Sequence, residues 1–378
     1  MPPGALTARV RDALAKGDRR WAAAVLAVAA AIFWEPLLTG RVFYERDIGI
    51  VWYPRVESIV RAVAEGAWPV WDPLSGFGLP ALADPSYQIA YPLTWLNLVL
   101  LPHTCYKVYA FVHCAGAGLG VLVLLRQWGI RGAPAALGGA ALTASGTLLS
   151  FVSVLHHLAG AAWMPWVLAA VHRVVERPGL RTSCVLGATV AGQVLAGSGD
   201  MCLVAGLLAA GYVPAVRLAI APALRPPVPR AMLALVGAAL PALLLSAAQW
   251  LPTAMNLAVG SRLSLSRAAN TYWSLHPLGL LDAVVPGLVQ VFPMSVELRA
   301  LLLEGRESFL TSLYLGVPVL SLAALGAVLR GPALRYYAAG AGAFFLLAAM
   351  GRHTPFYALL LGLPPVRLLR YPVKYSIA

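Results

Sequence analysis

Apolar runs dominate the chain, and basic residues collect in the short gaps between them. The runs lie at 21–38, 106–125, 133–154, 158–171, 182–196, 202–216, 232–250, 309–329 and 336–350. Several approach the roughly 20 residues that carry a helix across a bilayer. Inside lipid each backbone N–H and C=O needs an internal partner, so such runs read as helices. A β-barrel would alternate apolar and polar positions over strands of about 10 residues, and no such alternation appears. The expected fold is an all-α polytopic membrane protein of about nine transmembrane helices. Residues 1–378 then form a single integral membrane domain.

The gaps assign sides. Arg9, Arg11, Lys16, Arg19 and Arg20 precede the first run, which places 1–20 in the cytoplasm. The run 21–38 is long for the core of a signal peptide, and no A-x-A-like site follows it, so it reads as an uncleaved anchor. Residues 39–87 become a first outer loop, in which 48–64 predicts an amphipathic helix along the membrane surface. Trp52 and Tyr53 would sit at headgroup level. The short apolar stretch 89–101 fits a re-entrant or interfacial helix. Residues 251–308 form a second outer loop and 351–378 an outer C-terminal segment.

Composition supports lipid as the solvent. The chain is 60% hydrophobic and 11% charged, against about 25% charged in soluble domains. Its net charge of +13 falls in clusters between apolar runs, as in cytoplasmic loops, rather than in a soluble basic domain that would bind nucleic acid. Cys105, Cys114, Cys184 and Cys202 lack CxxC spacing and read as buried small hydrophobes. No fixed-period repeat supports a transporter built from obvious inverted halves.

The acids are distributed unevenly. After Asp12 and Asp18, only Glu176 falls in a predicted cytoplasmic loop. Acids hardly determine topology, so functional acids gathered on one face would explain the asymmetry. Glu45 and Asp47 lie just past the first helix, at a spacing that can project both carboxylates to one side of extended backbone. With a phosphate-bearing ligand they would hold Mg²⁺ or Mn²⁺; alternatively Asp47 would act as a general base. Asp84, before Pro85, is either a second site acid or a turn and helix cap. His156 and His157 are adjacent and point in different directions, which disfavours joint metal ligation and leaves one to face a site. Asp200 follows Gly-Ser-Gly close to membrane depth, where an acid needs a partner or a wet cavity. His276, Asp282, Glu304 and Glu307 populate the second outer loop. Arg367, Arg370 and Lys374 form a basic cluster that is either on the acidic side, suited to a phosphate or pyrophosphate, or cytoplasmic if the last helix count is off by one.

Several ordered landmarks now coincide. They are Gly40-Arg41 through Arg46-Asp47, Tyr53-Pro54, Trp68-Pro69-x-Trp71-Asp72-Pro73 and Gly76-x-Gly78-x-Pro80. Tyr91-Pro92, His157-Leu-x-Gly160 and Arg370-Tyr371-Pro372-x-Lys374-Tyr375 follow. In this order they resemble the YfhO-type bacterial membrane proteins, within the GT-C glycosyltransferase superfamily. The resemblance implies a GT-C-like bundle in the bacterial inner membrane, with an active face outside the cytoplasm and a polyprenyl-phosphate-linked sugar as donor. It implies Asp47 as first choice for catalytic base or metal ligand, then Glu45, then Asp84. Arg370 and Lys374 would contact donor phosphate; His157, read from its own position rather than from the resemblance, would donate a hydrogen bond to phosphate or carry a proton. In the family the Arg-Tyr-Pro-x-Lys segment usually sits mid-chain, whereas here the chain stops at Ala378, as a partial or truncated relative would.

Three functions compete at this level. The first is sugar transfer to an extracytoplasmic lipid, polymer or protein. The second is a transporter or flippase of a lipid-linked saccharide, which calls for charges buried at mid-membrane in several helices. The third is a non-catalytic membrane scaffold. Convergence of Asp47, Asp84, Asp200 and His157 would favour the first over the third.

Overall fold

The computed structural model describes residues 3–260, 265–288, 291–304, 306–329 and 333–378, and the side chains of all of these except 3–18, 259 and 365. Arg330, expected in the last basic loop, lies outside the described residues, as do parts of the expected second outer loop and the side chains of Arg9, Arg11 and Lys16. The fold is all-α, with no β-strand among the described residues.

Six stretches are long and apolar enough to cross a membrane. The first is the apolar part of α1 (Pro3–Leu38). Next come α3 (Pro102–Gln127) and the run formed by α4 (Ala133–Thr143), α5 (Gly146–Ser150) and a 3-10 turn. Then follow α6 (Leu155–Glu176) and α8 (Gly199–Ala219). The last is formed by α9 (Val228–Gly237) and α10 (Ala239–Val259), separated by a turn at Ala238. The chain is a multi-pass membrane protein.

Of the about nine expected spans, six have full length among the described residues. The other three apolar runs form shorter helices: α7 (Leu180–Leu195, 16 residues), α13 (Val317–Val328, 12 residues) and α14 (Leu334–Ala349, 16 residues). At about 1.5 Å per residue each is shorter than the roughly 30 Å of hydrocarbon, yet α7 still returns the chain from the end of α6 to the start of α8. Residues 309–316 are not helical, because their polar groups pair elsewhere. Gly146 N donates to Tyr314 O at 2.7 Å, and Ser312 N donates to Ser150 Oγ at 2.9 Å.

The core is centred on α6, which packs on α3, α7, α8 and α9. Apolar residues surround this helix, the pattern of a helix enclosed by others; Leu158, Ala159, Val174 and Val175 are fully buried. Between α3 and α4 the backbones nearly touch, because a Cβ on Gly118 or Gly139 would overlap the other residue's carbonyl. Small residues at such a crossing let dispersion contacts form where lipid supplies no hydrophobic drive. Outward leucines on α10, such as Leu244 at 68% exposure, form an apolar surface suited to acyl chains. Cys184 is also exposed, on α7, which corrects the expectation of a buried thiol; Cys105 and Cys114 are buried, and all four cysteines are free.

The helix expected over 48–64 is present. A π turn (Ile48–Trp52) leads into α2 (Tyr53–Ala64), which buries Val56 and Ile59 and pairs Arg61 with Glu57 at 2.8 Å. The stretch 89–101 forms only a 3-10 helix at Pro92–Leu98.

Candidate functional site

The site is built where α6 and α8 begin. Ser198 caps α8, its Oγ accepting from Met201 N at 3.3 Å. Asp200 lies in the first turn, where the helix dipole favours a carboxylate. Ser198 Oγ also hydrogen-bonds His157 Nδ1 at 2.8 Å, so the opposite ring nitrogen faces Asp200. His157 Nε2 is 4.0 Å from Asp200 Oδ2, too long for a direct hydrogen bond. The ring of His156 lies 4.1 Å from that of His157, and His156 is within electrostatic reach of Asp84, Arg55, Asp200 and Lys374.

The C-terminal segment supplies the cation. Asn270 Nδ2 donates to the carbonyls of Arg367 and Leu369 at 2.8 and 2.6 Å, and Val373 N donates to Trp273 O at 3.1 Å. These bonds stitch 367–373 to 270–273. Tyr371 sits at φ 65°, a left-handed conformation uncommon for a bulky residue. It opens the 3-10 turn Pro372–Ile377, which carries Lys374. Lys374 Nζ lies 2.8 Å from Asp200 Oδ2, with side-chain exposures of 2% and 12%. Asp200 Oδ1 is buried and has no hydrogen-bond partner among the described residues. The Tyr371 ring carries Arg370 on one contact, at 4.9 Å, and Lys374 on another, at 5.2 Å. Burial, with Tyr357 and Asp200 nearby, pushes the Tyr375 hydroxyl well above its ordinary range, so it stays a donor.

Part of the first loop is fixed against this site. Asp84 caps the turn Pro85–Tyr87, accepting from Ser86 N at 2.9 Å, and pairs with Arg55 of α2 at 3.4 Å. Gln88 Nε2 donates to Ala196 O and to Tyr109 Oη, each at 2.6 Å. Gly197, at φ 85°, meets this loop so closely that a Cβ would overlap the Pro85 carbonyl oxygen. Asp84 is therefore both a cap and a neighbour of the site.

Glu45 and Asp47 stand apart from the ion pair. Glu45 is exposed, while Asp47 is half-buried before the π turn and within electrostatic reach of Tyr106. Neither forms a side-chain hydrogen bond or ion pair with the described residues. The link from this segment to the site is Arg46, which donates to Ser308 O at 3.1 Å and Phe309 O at 2.7 Å. Phe309 then packs on Trp273, Tyr371 and His157, with ring centroids at 5.1, 5.4 and 6.2 Å.

His276 lies at a neighbouring cavity of about 50 Å³, together with Asp282 and Glu304. It caps the turn Pro277–Ala283, accepting from Leu278 N at 3.2 Å. Glu304 is paired with Arg306 and Arg352 at 3.0 and 2.9 Å. Burial and the adjacent His276 hold the His353 imidazole below its ordinary range.

The structure thus joins Asp200, His157 and Lys374, brings Asp84 and His156 within electrostatic range, and leaves Glu45, Asp47 and His276 elsewhere. No three His, Cys, Asp or Glu gather as a cation site among the described residues. A divalent ion on Glu45 and Asp47 would need donor phosphate oxygens and water to complete its shell, an arrangement Mg²⁺ tolerates. Sequence reasoning missed Ser198, Arg55 and the Phe309–Trp273–Tyr371 cluster. Of these only Ser198 carried a local signal, a serine ahead of an apolar run. Compared with family models, curated proteins and solved structures, the chain matches none.

Proposed function

We propose that the chain is a GT-C-type membrane glycosyltransferase that moves a sugar from a polyprenyl-phosphate donor to an extracytoplasmic lipid, polymer or protein. The observation that carries the reading is the Asp200 carboxylate, buried against Lys374 with one oxygen unpartnered. An orphaned buried carboxylate oxygen costs free energy unless a ligand group completes it, and an acceptor hydroxyl would do so. Asp200 Oδ1 takes the proton from that hydroxyl as its oxygen bonds to the anomeric carbon. The bond from that carbon to the donor phosphate breaks, and polyprenyl phosphate departs with the electron pair. Lys374 already has Asp200 as an anionic partner, so Arg370, whose Nε is buried without a hydrogen-bond partner among the described residues, is the better contact for the leaving phosphate. If Mg²⁺ or Mn²⁺ is used, Glu45 and Asp47 would be its protein ligands, and it would supply Lewis-acid stabilisation to a donor phosphate that reaches that segment, apart from Asp200.

Supporting the same reading, the ordered landmarks include both His157 and the segment with Arg370 and Lys374. On this reading the end of the bundle bearing Asp200 faces outward from a bacterial inner membrane, and the arginine-rich end faces the cytoplasm.

The test is to incubate membranes holding the protein with labelled polyprenyl-phosphate sugars. Wild type should move label, Asp200→Asn should lose roughly a hundredfold or more, and Asp47→Asn should lose activity in a manner sensitive to added Mg²⁺. A wild-type protein that moves no label from any such donor would sink the reading.

A further inference from the structure

At the far end of α6, about 29 Å along the helix from His157, lies an open cavity of about 350 Å³. Its charged walls come from three places: Glu176 and Arg177 at the end of α6, Arg225 after α8, and Arg230 in the first turn of α9. Three guanidiniums against one carboxylate leave the cavity positive. The walls are also stiffened by Pro178, Pro226 and Pro227, whose fixed backbone angles lower the entropy of ordering a ligand.

Local hydrogen bonds hold the cavity open. Arg225 Nε donates to Ile220 O at 2.7 Å and its Nη2 to Leu218 O at 3.1 Å, while Arg217 Nη1 donates to Pro226 O at 3.2 Å. Arg225 therefore shapes the loop as well as charging it. Arg177 and Arg230 are both exposed at the rim.

The surroundings decide the ligand class. Leu180, Leu224, Val228 and Leu233 are 82%, 76%, 54% and 74% exposed, and all lie within a few residues of the cavity wall. Exposed apolar side chains beside a basic pocket, at the end of a membrane-spanning helix, suit a ligand with an anionic head and hydrocarbon tails. Basic pockets between spans recognise such headgroups by charge-assisted hydrogen bonds to phosphate. We infer that this cavity binds the phosphate headgroup of an anionic phospholipid, with its acyl chains lying along the leucine-lined surface.

The experiment uses the full chain purified in a neutral detergent. Native mass spectrometry reads phosphatidylglycerol retained after exposure to mixed micelles of phosphatidylcholine with or without phosphatidylglycerol. Wild type should retain phosphatidylglycerol in preference to phosphatidylcholine, and Arg177→Ala/Arg230→Ala should lower that affinity about thirtyfold. Arg177→Lys/Arg230→Lys keeps the charge and removes the fork-shaped donors, so it should fall between the two and guards against misfolding of the alanine pair. Arg20→Ala/Arg131→Ala, which removes two arginines at the same end but outside the cavity, should leave retention unchanged. An equal loss in that control pair, or no loss in the cavity pairs, overturns the assignment. So does displacement of phosphatidylglycerol by inorganic phosphate with no contribution from the acyl chains, since that result marks a site for free phosphate.

Discussion

Lys374 Nζ meets Asp200 Oδ2 at 2.8 Å, joining the last turn of the chain to the head of α8 in an almost fully buried ion pair. Taking charges out of water is costly, and their attraction offsets that cost only while both are present. Asp200→Asn removes the carboxylate beside a buried ammonium, and thermal unfolding should report a loss of about 3 kcal/mol. Adding Lys374→Met should recover much of that stability. Failure of the second substitution to recover stability would mean that the pair is not what stabilises this contact.

Gly197 sets how closely the first loop approaches Asp200. Its positive φ of 85° already disfavours a side chain, and a Cβ would overlap the Pro85 carbonyl. Gly197→Ala should destabilise by roughly 2 kcal/mol or more from strain and overlap together. The more specific readout is local. Amide exchange at 85–88 should accelerate well before global unfolding, because the bond from Gln88 Nε2 to Ala196 O must lengthen. Unchanged exchange there would show that the loop is held by other contacts.

The spans were legible because a long apolar run is a strong signal that little else imitates. The run at 309–329 misled for a physical reason. Hydropathy does not register that Thr311 and Ser312 hydrogen-bond with Ser150 across a long stretch of sequence, and those bonds hold the backbone away from helix until Val317. Asp200 was legible as an acid in need of a partner, and Lys374 as a cation on the unexpected side. Their pairing was not, since nothing local to either residue encodes the distant other. Glu45 and Asp47 looked strongest because two acids stood together, yet the residue between them, Arg46, makes the contact that reaches the site.

Asp72 gives the first loop an acid-sensitive anchor. It is fully buried and accepts from Tyr87 Oη at 2.6 Å and Leu74 N at 2.9 Å. Burial alone would raise its pKa. Hydrogen bonds from Tyr87, Ser75, Ser58 and Leu74 outweigh burial and hold it below the ordinary value of 3.8. A depressed carboxyl pKa contributes stability that is fully present above the unfolded value and is lost as pH falls through the folded one. Loop stability should therefore stay flat with respect to this group above about pH 5 and decline below about pH 4. Tryptophan fluorescence should follow that decline, since Trp68 and Trp95 pack with ring centroids 4.9 Å apart. Asp72→Asn should flatten the acid limb while lowering stability at neutral pH; an unchanged acid limb would remove Asp72 from the account.

The two ends of the bundle differ in charge, and the difference can be turned into a measurement of orientation. Glu45, Asp84, Asp200 and Lys374 belong to one end, whereas Arg131, Arg177, Arg225 and Arg230 lie at loops or helix ends on the other. Positive residues in short loops are retained in the cytoplasm, so the arginine end should be inside. In a cysteine-free variant, Glu45→Cys should react with a membrane-impermeant maleimide on intact cells, because Glu45 is exposed. Arg131→Cys, also exposed, should react only after the membrane is opened. The reverse pattern would turn the molecule over, place the Asp200 site on the cytoplasmic face and remove polyprenyl-phosphate sugars presented outside the cell from its reach. Labelling of both positions on intact cells would instead deny the intervening spans a barrier, and with it the multi-pass arrangement on which that orientation depends.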